Sequence, residues 1–285
     1  MKSAIEYALQ YLLIFSLILC FHIRVANGQV RLIDDPFDKE IIKKEKIKDI
    51  EAREFDYASG EVDLSQEGFL TLKMSFNENG DLVFRKRAYQ GEGRKERGST
   101  EKTEYRSDST AKMLTYDYKG EFESQSYADI VNGKTTGWVS FSEDSVQQDK
   151  VSYKYDAQGN MTTLLVYVEG EALLGRYEFE YDAQGELVKQ YFYGAGDELY
   201  TRSKAFKEGP LTRVWKEFDN DGYQLSVTTK VYDELGRLIS ETSDNEFRPN
   251  ETYAYIGKSH LIDYVIAEAT EATQAKLIKY YYTRR

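Results

Sequence analysis

The pentapeptide YDAQG stands at residues 155–159 and again, unchanged, at residues 181–185. Its chemistry is that of a turn. Asp at the first turn position accepts backbone hydrogen bonds, and Gly at the last supplies a positive φ. The wider pattern, aromatic–Asp/Asn–x–x–Gly, begins at Phe76, Tyr116, Tyr155, Tyr181, Phe218 and Tyr232. Weaker turn signals follow Tyr167, Tyr193 and Phe206, so the aromatic positions run 155, 167, 181, 193, 206, 218, 232, in steps of 12 to 14. Between turns the residues alternate. Tyr177, Phe179 and Tyr181 share one face and Glu178 and Glu180 the other; Leu225, Val227, Thr229 and Val231 oppose Ser226, Thr228 and Lys230. A period of two means strand. Strand, tight turn, strand is a hairpin. The reading is therefore all-β: an antiparallel meander in which the interval from Tyr155 to Tyr181, two steps of the ladder, measures one hairpin. A sheet of a dozen or more twisted strands cannot stay flat, so it is expected to curl into a shell, close into a barrel-like form or split into two packed layers.

Phe76, Tyr89, Tyr105, Tyr116 and Phe141 carry the ladder through the N-terminal half, with a gap near Ala128. Residues 91–110 are almost devoid of apolar groups and read as a long exposed hairpin or loop. Residues 29–46 form a charged segment with a short helix expected over 38–46, and residues 47–57 begin the first strand. Residues 251–256, 264–269 and 276–283 read as closing strands. No Pro/Ser-rich linker interrupts 47–285, which is expected to be one repeat domain.

Tyr 24 and Phe 14 against Pro 3 and Trp 2 suit a pleated surface. The segment 1–28 differs. Lys2, the apolar run YLLIFSLILCF at 11–21, and the small residues Ala26 and Gly28 read as a secretory signal cut before Gln29. That run is shorter than the ~20 apolar residues of a membrane span, so no transmembrane span is expected in the mature chain. Cys20 after Leu17-Ile18-Leu19 offers a lipidation alternative. Loss of Lys2, Arg24 and Glu6 leaves 36 cations against 48 acids, net −12, from 38 and 49 in the whole chain. Nucleic acid is a poor partner for such a charge. Cys20 is the sole cysteine, so disulfides, a thiol nucleophile and a Cys-ligated zinc are excluded from the mature chain. The expected location is the periplasm, the outer-membrane surface or the extracellular space.

The stretches YKYDAQGNMTTLLVY (153–167), YEFEYDAQGELVKQYFY (177–193) and VYDELGRLISET (231–242) resemble the YD repeats of RHS-type proteins. The likeness runs over about 70–245 and is strongest from 150. It implies strips of antiparallel hairpins, which in large members wrap into shells around a toxin segment and in others sit on bacterial surfaces.

Catalytic signals are sparse. His260 is the one histidine after the signal, and no Gly-x-Ser-x-Gly elbow accompanies it. Glu178 and Glu180 could form the carboxylate pair of a glycosidase, against the plainer reading of a solvated strand face. Asp219-Asn220-Asp221-Gly222 echoes the start of a calcium loop, but its Gly comes too early, so a turn is expected. No cofactor or metal is expected. The basic clusters Arg85-Lys86-Arg87 and Arg94-Lys95-Glu96-Arg97 could touch phosphate or an acidic glycan, but in so acidic a chain they read as solvated hairpin faces. The aromatic runs Tyr191-Phe192-Tyr193 and Tyr280-Tyr281-Tyr282 must occupy both strand faces. Tyr191, Tyr193, Tyr280 and Tyr282 are the candidate ligand or partner contacts, with ladder packing as the alternative. The expectation is a non-catalytic binding or structural module of the bacterial envelope, with envelope glycans or another envelope protein as partners. A secreted carbohydrate-active enzyme and a shell or carrier fragment for a toxin are the alternatives.

Overall fold

A computed structural model describes residues 23–26, 29–32, 39–57, 62–90, 96–107, 109–132, 134–168, 172–270 and 274–285. Residues 1–22 of the expected signal, Cys20 included, and Arg94 and Lys95 lie outside the described residues. A hairpin pairs β1 (Ile23–Ala26) with β2 (Gln29–Leu32), on either side of the expected cleavage position. Then come α1 (Lys39–Lys44), β3 (Ile47–Asp56), β4 (Phe69–Phe76), β5 (Leu82–Gln90), β6 (Glu96–Ser107), β7 (Thr110–Asp117), β8 (Phe122–Val131), β9 (Lys134–Ser142), β10 (Gln147–Tyr155), β11 (Met161–Val168), β12 (Ala172–Tyr181), β13 (Leu187–Gly194), β14 (Leu199–Lys207), β15 (Thr212–Asp219), β16 (Gln224–Tyr232), β17 (Leu238–Ser243), β18 (Glu251–Tyr255), β19 (Ile262–Ala267) and β20 (Lys276–Arg284). Strands β3 to β20 pair in chain order, and β20 pairs with β3 to close the ring. The fold is an all-β antiparallel meander closed into a barrel. Residues 91–110 correct the sequence reading in part: most of them belong to β6, a wall strand, and β8 fills the gap near Ala128.

The rim at which β3 begins is here the lower rim. Turns after even-numbered strands lie there, and turns after odd-numbered strands lie at the upper rim. The motif builds the same turn at both. In the second YDAQG the Gly185 amide donates to the Asp182 carbonyl (2.9 Å), and the Asp182 amide donates to the Glu186 carbonyl (2.9 Å). The Asp182 carboxylate takes the amides of Gln184 (3.0 Å) and Glu186 (2.9 Å). Gly185 has φ 78°. This is a three-residue hairpin loop ending in a left-handed residue, which leaves a bulge beside it. The register accordingly shifts at Glu180/Tyr181, and likewise at Lys154/Tyr155, Thr115/Tyr116 and Val231/Tyr232.

A meander that always advances the same way round a ring relates successive hairpins by a half-turn about an axis lying in the wall. That rotation exchanges the two rims and the two faces together. One chiral turn therefore aims its aromatic inward at the lower rim and outward at the upper. Phe76, Tyr155 and Tyr181, at the lower rim, pack in the interior. Tyr116, Tyr167, Tyr193 and Phe218, at the upper rim, lie outside under Lys102, Lys150, Arg176 and Arg202, at 4.9, 5.6, 4.5 and 5.9 Å. Two turns are needed to return to the same rim and face, which is the physical content of the spacing between the two YDAQG copies.

The buried face is the inner one, because it is buried all round the ring. Registered rows such as Tyr153–Leu164–Tyr177–Phe192 and Ile50–Met74–Arg85–Glu101 carry buried or half-buried side chains. Two arcs are apolar, the second continued by Tyr253, Ile262 and Val265 through the shared neighbour Tyr280. One joins Val151, Tyr153, Leu164, Val166, Tyr177 and Phe179, with Trp138 and Trp215 against it. The other joins Ile47, Ile50, Met74 and Phe76 to Ile42 of α1 and Leu261, with Tyr280 and Tyr282 against it. Between them the interior is polar: Ser126, Ser140, Thr228 and the Lys230–Glu241 ion pair (3.3 Å) face in. The expected solvated cluster at Arg85-Lys86-Arg87 is corrected here. Alternation turns Arg85 into the barrel, where it is 4% exposed and paired with Glu101. A buried guanidinium persists only when so compensated.

At the lower rim, tyrosine hydroxyls donate to backbone carbonyls of the preceding strand: Tyr155 to Thr135 (2.7 Å), Tyr181 to Met161 (2.8 Å), Tyr255 to Leu238 (2.8 Å) and Tyr282 to Ile262 (2.6 Å). Burial pushes Tyr255 up to about 12, and pushes Tyr153 and Tyr282 higher still. An unfolded tyrosine ionises near pH ~10. A raised folded value means that this stabilisation is complete below pH ~10 and is lost as pH rises through the folded values. An absorbance titration is expected to show a tyrosine subset that forms phenolate only together with loss of the β circular-dichroism signal. Ionisation of all 24 tyrosines near pH ~10 with intact β signal would contradict the buried ladder.

Candidate functional site

A half-open cleft of about 390 Å³ lies at the lower rim, on the inner side of β13 to β16. Leu187, Trp215 and Tyr232 form its apolar side; Glu186, Arg213, Asp233, Glu234 and the exposed His260 supply polar groups. The turn chemistry places them. Glu186 follows the second DAQG turn, Asp233 opens the DELG turn, and the Tyr232 amide donates to the Leu211 carbonyl at 2.8 Å. Trp215 is turned inward beside Ala205, its registered partner on β14. It is half-buried, between the aromatic arc and the cleft.

The charges are held in pairs. Glu186 takes Lys207 at 2.7 Å and Arg213 at 3.3 Å. Lys207 also reaches Asp182 at 3.3 Å. The Lys207 ammonium, reinforced by Arg213 against partial burial, holds the Glu186 carboxyl below its usual range. Burial works against the charge on Asp233, but the Arg237 and Leu235 amides and the Arg237 guanidinium outweigh it and hold the carboxyl low. Arg237 bonds Asp233 through Nε (2.7 Å) and donates from Nη1 to the carbonyls of Gly257 and Ser259 (2.8 Å each). It thereby fixes the turn that carries His260. The cleft thus offers an aromatic wall beside fixed donors and acceptors, the arrangement of a binding site for a polar ligand with one hydrophobic face.

The four candidate tyrosines divide. Tyr280 and Tyr282 face inward into the α1 cluster, and the Tyr282 hydroxyl is engaged; Tyr281, between them, is the exposed one. Tyr191 and Tyr193 lie on the outer wall, stacked at 6.3 Å, with the Arg176 guanidinium 4.5 Å over the Tyr193 ring. Glu178 and Glu180 are outer-wall residues paired with Arg176 (2.9 Å) and Lys189 (2.6 Å). Asp219 to Gly222 form a turn, with Asp219 accepting the Tyr223 amide at 2.8 Å. The His260 imidazole has no hydrogen-bonded serine or acid among the described residues, and these contain no cluster of metal-ligating side chains. Trp215, Arg213, Lys207 and Glu186 escape the sequence reading. They come from separate hairpins, and the one hint is the rarity of tryptophan, with 2 in the chain.

No family model matches the chain, and no curated protein does. Among solved structures it is similar to a porin-like protein from Bacteroides uniformis, at 10% identity and TM-score 0.43 over 84% of this chain and 97% of that one. A porin-like protein from Bacteroides vulgatus gives 9% identity and TM-score 0.38 over 83% and 98%. A chain of a TcdB2–TccC3–TEV structure gives 14% identity and TM-score 0.16, covering 74% of this chain and 15% of that one. None of the three sets a family or an activity here.

Proposed function

We propose that the chain is a non-catalytic binding module of the bacterial envelope. YD-like hairpins build its barrel, and the lower-rim cleft takes a neutral saccharide from an envelope glycan. The observation that carries this reading is the juxtaposition of Trp215 with carboxylate–cation pairs that are already neutralised. An indole face suits the apolar face of a sugar ring, and fixed donors and acceptors suit its hydroxyls.

Two further observations support it. Hydrolysis by a carboxylate pair needs one acid held protonated near neutral pH. The two cleft acids with displaced titration, Glu186 and Asp233, are both displaced downward. The outer wall also favours water over lipid. A lipid-facing barrel needs an apolar band about 25 Å tall, and a cation at the bilayer midplane costs about 2–4 kcal/mol. This wall carries Lys73–Glu51 (2.8 Å), Lys279–Asp263 (2.5 Å) and Lys189–Glu180 (2.6 Å), with Lys102, Lys112 and Lys150 over Tyr116, Tyr127 and Tyr167. Among the described residues no helix is long and apolar enough to cross a membrane.

Trp138→Phe leaves Trp215 as the sole indole, since the chain has 2 tryptophans. Saccharide binding is expected to shift the Trp215 emission saturably, and Trp215→Ala to weaken binding at least tenfold, about 1.4 kcal/mol. A glycan panel that leaves the emission unchanged would overturn the assignment of the cleft.

A further inference from the structure

The outer wall over β12 to β15 holds a row of like-charged side chains on neighbouring strands. Lys189 on β13 is registered directly opposite Lys204 on β14, and Lys204 directly opposite Lys216 on β15. Like charges directly opposite on neighbouring strands are destabilising. In the adjoining rows stand Arg202, opposite Tyr191 and Phe218, and Arg176, opposite Tyr193. Five cations thus share one wall with Tyr191, Tyr193, Phe206 and Phe218. Their acids gather at one margin: Glu178 and Asp197 pair with Arg176, and Glu180 pairs with Lys189. Lys204, Lys216 and Arg202 have no carboxylate partner among the described residues. Their contacts are with rings: Lys204 and Lys216 over Phe206 at 5.1 and 5.4 Å, Arg202 over Phe218 at 5.9 Å. Lys204, Arg202 and Phe206 are exposed. All this stands on a chain of formal net charge −11.

The geometry points to a second binding surface, the outer face of β12 to β15, which takes a linear carboxylated polysaccharide across the Lys189–Lys204–Lys216 row. Three features select this occupant. Adjacent strands are about 4.8 Å apart, so the row presents charges at intervals of a few ångströms perpendicular to the strands, as a chain of acidic sugars requires. The row is lysine, a point charge, without the paired guanidinium forks that favour phosphate. A strongly acidic protein also repels a dense polyanion such as nucleic acid more than a polymer with fewer charges per unit length. The Phe206 ring gathers the Lys204 and Lys216 ammonium groups from neighbouring strands, because an aromatic face attracts a cation. This surface is on the opposite side of the wall from the cleft and does not depend on it.

The test uses polygalacturonate as probe, with single-stranded DNA and anionic phospholipid vesicles as rivals, in low and physiological salt. The parent chain is expected to bind polygalacturonate more tightly than either rival and to weaken as salt rises. Lys204→Gln/Lys216→Gln is expected to reduce binding at least tenfold while melting at the same temperature as the parent or a higher one, since the like-charge row is relieved. Trp215→Ala, in the cleft, is expected to leave polygalacturonate binding unchanged. Absence of binding by the parent, retention of binding by the double lysine variant, or tighter binding to DNA or vesicles would each overturn the proposal. A fall in melting temperature for the double lysine variant would show that the row serves the fold, and would also overturn it.

Discussion

Phe179→Ala is expected to destabilise the barrel by about 3–5 kcal/mol, the usual cost of truncating a buried Phe. Phe179 is 5% exposed and faces the interior at the centre of the larger apolar arc. Its ring is stacked on Tyr177 at 6.4 Å, and Tyr177 is in turn stacked on Phe192 at 4.6 Å. Truncation removes the ring's transfer free energy and leaves a void that strands tied on both sides cannot close. At roughly 2–4 °C per kcal/mol for a chain of this size, the melting temperature should fall by about 10 °C. Glu178→Ala, one residue away on the outer wall, half-buried and paired with Arg176, is expected to change stability by less than about 1 kcal/mol, the range of a surface ion pair. Thermal or urea melts of the two variants check the assignment of faces: equal losses would mean that the interior lies elsewhere.

Gly98→Val should be as severe for a different reason. Gly98 has φ 151°, and a Cβ there would lie 1.9 Å from the Arg87 carbonyl oxygen and 2.9 Å from the Ala88 Cα. Both obstacles are backbone of the paired strand β5, so no side chain can step aside. Relief requires breaking the β5–β6 ladder, and a β-branched residue adds strain at positive φ. We expect a loss of at least about 3 kcal/mol, with hydrogen exchange accelerating first in β5 and β6. Gly120→Ala, at φ 88° with nothing within 4 Å of the added Cβ, incurs only the conformational penalty of about 1–2 kcal/mol.

The contrast between these positions shows what the sequence carries. The turn motif is legible because Asp and Gly act locally: Asp182 closes its own turn and Gly185 supplies its own φ. The alternation of Tyr177 and Phe179 with Glu178 and Glu180 is legible for the same reason, since strand period is local. The orientation of the faces is not. In β16 the apolar-looking set Leu225, Val227 and Val231 faces out, while Thr228 and Lys230 face in, because Glu241 of the next strand waits inside for Lys230. Arg85 misleads for the same reason, as its partner Glu101 is on the neighbouring strand. The tyrosine runs can be split between faces but not assigned: the half-turn relating successive hairpins sends Tyr282 in and Tyr193 out. The cleft is beyond reach, since Glu186, Trp215, Asp233 and His260 meet only when the wall has curved.

Closure of the ring by β3 and β20 carries the whole account, because inner and outer faces exist only if the sheet returns on itself. Glu51 and Tyr281 are registered partners across that joint, on the first and last strands of the ring. In a Cys20→Ser background, Glu51→Cys/Tyr281→Cys should oxidise to an intramolecular disulfide, as registered β partners fall within the roughly 4.4–6.8 Å Cα separation that a disulfide spans. Lys73→Cys/Lys86→Cys, registered partners within the β4–β5 hairpin, serves as the reference pair. Efficient cross-linking of both pairs is the predicted result. Cross-linking of 73/86 without 51/281 would mean an open sheet, and would contradict the barrel and the sites built on it.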